Sequence, residues 1–76
     1  MQNESKEVFM AKHYFNSKLI DWVQYEDGAL EVFSKNHLTL YFGVPEETYK
    51  EFISQKNPDT FFRNIIRKNF VEQNLF

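Results

Sequence analysis

Between residues 19 and 42 the apolar positions fall in short runs broken by tight-turn signals, the pattern of antiparallel strands. Asp27-Gly28 predicts a type I′ hairpin between Trp22-Val23-Gln24-Tyr25 and Leu30-Glu31-Val32-Phe33. Lys35-Asn36 predicts a second tight turn, leading into His37-Leu38-Thr39-Leu40-Tyr41-Phe42. With two residues in each turn the register follows: Tyr25 opposite Leu30, Val23 opposite Val32, Trp22 opposite Phe33, Val32 opposite Thr39, and Phe33 opposite Leu38. Side one then carries Val23, Tyr25, Leu30, Val32, Thr39 and Tyr41. Side two carries Ile20, Trp22, Phe33, Leu38 and Leu40, with Gln24 and Glu31 toward one end. A half-solvated sheet alternates apolar with polar, so a sheet apolar on both sides calls for two covers.

The next segment changes period. Pro45 suits the first position of a helix, where Glu46 and Glu47 meet the positive end of the dipole, and Tyr49, Phe52 and Ile53 form an apolar stripe. Asn57-Pro58-Asp59 marks a second start with Asn57 as the expected cap. Phe61, Phe62, Ile65, Ile66 and Phe70 form its buried stripe, with Arg63 and Arg67 together on another face at i and i+4. The expected fold class is α+β, a three-stranded antiparallel meander followed by two helices packed on side one. Residues 1–16 form an N-terminal arm and 17–76 the domain. In the arm, Val8, Phe9, Met10, Tyr14 and Phe15 fit neither period, which leaves a short helix, an edge strand or an arm docked on a second subunit.

Size makes the aromatic content matter. A chain of 76 residues buries only about 60 to 65% of the surface its unfolded form exposes. The core must be dense, and nine Phe within an aromatic content of 18% supply large buried areas. That loading exceeds what so small a core hides, so some rings are expected to be left for a partner or ligand. With no cysteine, disulfides and thiolate metal sites are excluded. Residues 1–16 lack the continuous apolar run of a secretory signal, and a cytoplasmic protein without a membrane partner is expected. A net charge of −2 argues against a coat on double-stranded DNA, because such binding rests on neutralised phosphates.

Several features recur in an order that resembles the KTSC domain, a small module named for its occurrence at the end of some lysyl-tRNA synthetases. They are the Asn16-Ser17 lead followed by Ile20, the Asp27-Gly28 hairpin, Leu30 and Val32, the turn Tyr41-Phe42-Gly43-Val44-Pro45, and Phe62, Ile66 and Arg67 on a helix. The resemblance spans roughly residues 16 to 70. Where the family carries Tyr-x-Tyr this chain has Thr39-Leu40-Tyr41, and Arg63 replaces an asparagine often found after the helix phenylalanine. Trp22 and Phe33 stand where the family prefers small or polar residues, which points to a partner surface on side two. The resemblance implies a compact three-strand, two-helix domain, with RNA binding suggested by fusion to a tRNA-charging enzyme. Short standalone copies encoded by bacterial viruses are similar. A viral protein of this size is expected to bind, block or sequester a target.

Catalysis is not expected. His13 and His37 lack carboxylates at metal-ligand spacing, and no nucleophile elbow or glycine-rich phosphate loop is present. No cofactor is expected. Arg63, Arg67 and Lys68 are candidate phosphate clamps, with Tyr41 and Tyr14 as stacking surfaces for a base. The plainer alternative pairs Arg67 with Glu46, Glu47 or the terminal carboxylate and leaves Arg63 and Lys68 solvated. Trp22, Phe33, Leu38 and Leu40 are candidates for a homo-oligomer interface, favoured over a row hidden by residues 8–15. Two functions follow. One is an oligomer that sequesters a phosphodiester ligand, either a cyclic nucleotide signal or a short RNA. The other is an interaction module that blocks a host or partner protein through its aromatic sheet face.

Overall fold

The computed structural model describes residues 11–76, and Val8, Phe9 and Met10 lie outside the described residues. The central hairpins form as the turn chemistry dictates. Asp27 and Gly28 have φ of 47° and 87°, and Lys35 and Asn36 have 50° and 70°, so both loops are two-residue turns with positive φ throughout. They connect β2 (Trp22–Glu26), β3 (Ala29–Ser34) and β4 (His37–Phe42). Every expected cross-strand pair is present, from Tyr25 opposite Leu30 to Phe33 opposite Leu38.

The sheet is wider than the three expected strands. Among the described residues it has five antiparallel strands in sequential order. β1 (His13–Tyr14) comes from the leading arm and pairs with β2, while β5 (Val71–Asn74) pairs with β4. For residues 13–14 the edge-strand alternative is therefore the one observed. β5 had no expected counterpart, because Glu72, Gln73 and Asn74 are poor strand formers.

Gly43, at φ 74°, turns the chain out of β4, and the Val44 amide donates to the Gly28 carbonyl at 3.0 Å. Helix α1 (Glu46–Ile53) follows with Glu46 and Glu47 in its first turn. Pro45 is the residue just before the helix and not its first helical position. Helix α2 (Pro58–Phe61) runs without a break into a π-helical turn (Phe62–Ile66) and a last turn (Arg67–Asn69). Asn57 occupies the cap position but makes no side-chain cap bond, leaving Pro58 at the helix start as the local signal that operates.

Both helices roof side one, as expected. Val23, Tyr25, Leu30, Val32 and Tyr41 of the sheet pack against Tyr49, Phe52, Phe62 and Ile66. Rings dominate the contact: Tyr25 stacks on Tyr49 at 4.8 Å, Phe52 on Phe61 at 5.6 Å, and Tyr41 meets Phe62 edge-on at 5.8 Å. Phe15 reaches this core from the arm, 5.2 Å from Phe52. The Tyr25 hydroxyl donates to the Val44 carbonyl at 2.6 Å, which satisfies a buried polar tip.

Two details differ from the sequence reading. Ile20, assigned to side two, is fully buried in the core. Residues 17–20 turn before β2 begins, the Ser17 hydroxyl bonding both the amide and the carbonyl of Ile20, so alternation does not extend back to it. The π turn also shifts the helical phase, since its i→i+5 bonding carries one extra residue. Ile65 is 37% exposed although it was expected in the buried stripe, while Ile66 is buried.

Candidate functional site

No described helix lies over side two. Trp22 stacks on Phe33 at 5.3 Å, with Lys12 Nζ above the indole at 4.3 Å and Phe76 edge-on to Phe33 at 6.4 Å. Trp22, Phe33, Leu38 and Leu40 stay partly accessible under this thin cover. Cross-strand pairing extends their face at both ends. Tyr14 lies opposite Trp22, and Phe42 opposite Val71. Tyr14, Phe42, Val71 and Phe76 are among the large apolar side chains most open to water.

The roofed side holds a different feature. A cavity of about 240 Å³ opens between β4, β5 and the end of the second helix. Val32, Leu19 and Phe62 form its apolar wall, and Arg67, Glu72, Thr39, Asn74, Ser34 and His37 supply polar groups. Two cross-strand bonds cross it, the Tyr41 hydroxyl donating to Glu72 Oε1 at 3.0 Å and Thr39 Oγ1 to Asn74 Oδ1 at 3.0 Å, and the Ser34 hydroxyl donates to the Leu19 carbonyl. Burial chiefly, and then the bond to Glu72 and its charge, raise the Tyr41 pKa well above the ordinary tyrosine value, with the Arg67 charge opposing them. Tyr41 is a neutral hydroxyl donor there at physiological pH.

The expected site residues are only partly brought together. Arg67 lines the cavity with Tyr41. Arg63 and Lys68 are exposed and are not among the lining residues, so the cavity takes one of the three expected cations. Tyr41 does not offer a stacking surface. Its ring is 2% exposed and packed against Phe62, so only the hydroxyl reaches the site. Tyr14 is 67% exposed, but it stands on β1 and on side two, at the opposite sheet edge from β5. Within one chain it does not face the Arg67 cavity.

Sequence reasoning missed Glu72, Asn74, Thr39 and Ser34, which become neighbours only once β5 joins the sheet. The pairing of Arg67 with Glu46 or Glu47 does not occur. Among the described residues the ion pair formed is Lys50 with Glu46, at 3.4 Å. A second hollow of about 310 Å³, against Phe61 and Ile65, is lined by uncharged amides and Thr60. No group of three or more metal-ligating side chains assembles among the described residues. No described helix is long and apolar enough to cross a membrane.

A comparison with curated proteins gave no match. A KTSC domain protein from Yersinia pestis, known from a crystal structure, superposes with a TM-score of 0.77 at 26% identity, over 87% of this chain and 97% of that one. The family model of the KTSC domain matches residues 16–70, a span that takes in β2 to β4 and both helices and stops short of the two edge strands. With most of its length inside that match and the same fold in a solved relative, the chain belongs to the KTSC domain family.

Proposed function

We propose that this KTSC domain is a non-catalytic, homo-oligomeric binding protein that holds a phosphodiester ligand, a cyclic nucleotide or the end of a short RNA, in the cavity beside β5. The observation that carries the reading is the placement of Arg67. Its guanidinium lines a hollow with an apolar wall and has no ion-pair partner among the described residues. A planar cation beside an apolar surface suits a phosphate joined to a base. Thr39, Asn74 and Ser34 add hydrogen-bonding groups for sugar or base edges.

A compact ligand of this kind needs few cations, which is compatible with the net charge of −2. Its biological action in this reading is sequestration of that ligand. Self-association is assigned to the half-covered row of Trp22, Phe33, Leu38 and Leu40. The same face supports a second reading, a module that docks on another protein, and the openness of Tyr14 and Phe42 is what favours it.

Calorimetric titration with cyclic dinucleotides and short single-stranded RNA tests the first reading. Binding by the wild type that is lost in Arg67→Ala supports it. No binding of either ligand class, or equally tight binding by the variant, overturns it.

A further inference from the structure

Among the described residues nothing pairs with the outer side of β5, which is a sheet edge. Leu38 accepts from the Leu75 and Phe76 amides and donates to the Phe76 carbonyl, a β-bulge that closes the β4–β5 ladder. Alternation from there fixes the direction of the backbone groups. Val71 and Gln73, opposite Phe42 and Leu40, turn theirs toward β4, whereas Glu72 and Asn74 turn theirs away from the sheet. All of Val71–Asn74 is exposed. None of these residues is the lysine or proline that guards natural edges. The opposite edge is blunted, because β1 is two residues long and follows Lys12.

We infer that β5 pairs with β5 of a second copy of this chain in antiparallel fashion, joining two sheets into one. The inference rests on the self-association in the reading above and adds a contact distinct from the aromatic row. A second copy is the occupant because the strand is complementary to itself in one register. Facing residues must lie on the same side of the sheet, so the two residue numbers must add to an even sum. Placing Glu72 opposite itself opposes two carboxylates. Placing Asn74 opposite itself runs the pairing into the bulge at Leu75.

With Gln73 opposite Gln73 on the two-fold axis, Glu72 faces Asn74 of the second copy. Both outward-turned residues then exchange backbone hydrogen bonds. On side two the same register brings Val71, 71% exposed, alongside Leu75 of the other copy, 44% exposed. On the roofed side the neighbour's Asn74 arrives beside Glu72, at the mouth of the cavity that both residues line. Each copy thereby adds a polar group to the other's site. If the aromatic row forms a separate two-fold contact, the two isologous interfaces together close a tetramer.

The chain contains no cysteine, so one introduced thiol reports the axis. Gln73→Cys places two thiols opposite each other at a close, non-hydrogen-bonded pair. Under mild oxidation it is expected to form a covalent dimer at least about tenfold faster than Glu51→Cys on exposed α1. Asn74→Pro removes an outward-turned amide and keeps the backbone ladder to β4, with Asn74→Ala as the control for the lost Thr39 side-chain bond. Val71→Lys replaces the apolar contact with Leu75 of the second copy by an edge lysine, at a position the single chain leaves in water. Asn74→Pro and Val71→Lys are each expected to halve the wild-type particle mass in light scattering. Equal cross-linking rates for the two cysteine variants, or a mass unchanged in both Asn74→Pro and Val71→Lys, overturns the inference. A mass lowered by Trp22→Asp and by neither edge variant overturns it while leaving self-association intact. A wild type at the 9.2 kDa of one chain overturns both.

Discussion

The Tyr41 hydroxyl donates to Glu72 at 3.0 Å and joins the last core strand to β5. One residue is buried in the core and the other is exposed at the sheet edge. Their bond is where the folding core meets the candidate cavity.

Tyr41→Phe tests that link. It deletes the bond, but Glu72 returns to water, so the loss in stability is expected near about 1 kcal/mol. Urea unfolding measures it. A loss several times larger would mean that β5 detaches with the bond.

Tyr41 and Tyr49 both have raised pKa values, Tyr41 through burial first and then Glu72, Tyr49 through burial. The folded state therefore keeps phenolic protons that the unfolded chain releases. The associated stability is fully present below the ordinary tyrosine value of about 10 and is lost as the pH climbs through the folded values. Between the ordinary and the folded value it declines by up to about 1.4 kcal/mol per pH unit for each tyrosine, and above the folded value it is gone. Denaturant midpoints measured across alkaline pH should fall, and Tyr41→Phe should flatten the slope.

Arg67 is exposed, so Arg67→Ala should change stability by no more than about 0.5 kcal/mol. Its effect is expected in binding, where a charge-assisted hydrogen bond is worth about 1.5 to 3 kcal/mol. Arg67→Lys separates charge from geometry. It should recover only part of the affinity, because an ammonium lacks the planar fork.

Trp22→Asp is expected to give a smaller particle in light scattering. An unpaired carboxylate in an apolar contact costs about 2 kcal/mol or more, whereas the half-covered position in the single chain tolerates it. An unchanged mass would assign the indole to intrachain packing with Lys12 and Phe33.

The second hairpin offers a stabilising change. Lys35 and Asn36 hold φ of 50° and 70°, which Asn-Gly adopts more readily. Lys35→Asn with Asn36→Gly is expected to add about 1 kcal/mol. In a domain of this size that raises Tm by roughly 4 to 8 °C in a thermal melt.

How far the fold was legible depended on whether local chemistry alone could specify it. Asp27-Gly28 and Lys35-Asn36 set two-residue turns, and turn length fixes register, so the faces of Val23, Val32, Phe33 and Leu38 followed from the sequence. Pro45 with two glutamates, and Pro58 with Asp59, placed the helix starts to within a residue. Tyr49, Phe52, Phe62 and Ile66 then identified the side that is roofed.

The candidate site required tertiary structure because its members are polar and distant in sequence. Glu72 and Asn74 have little strand propensity, and they are extended because Tyr41, Thr39 and the open edge of β4 bind them. Arg67 lines the cavity and Arg63 does not, a difference between two arginines that neither residue type announces. The sequence by itself determined a two-faced meander and its roof, since turn geometry and apolar period act over a few neighbouring residues. Only the folded chain decided which hydroxyl meets which carboxylate and which cation shares their cavity, because that depends on how the last strand closes over contacts made more than thirty residues away.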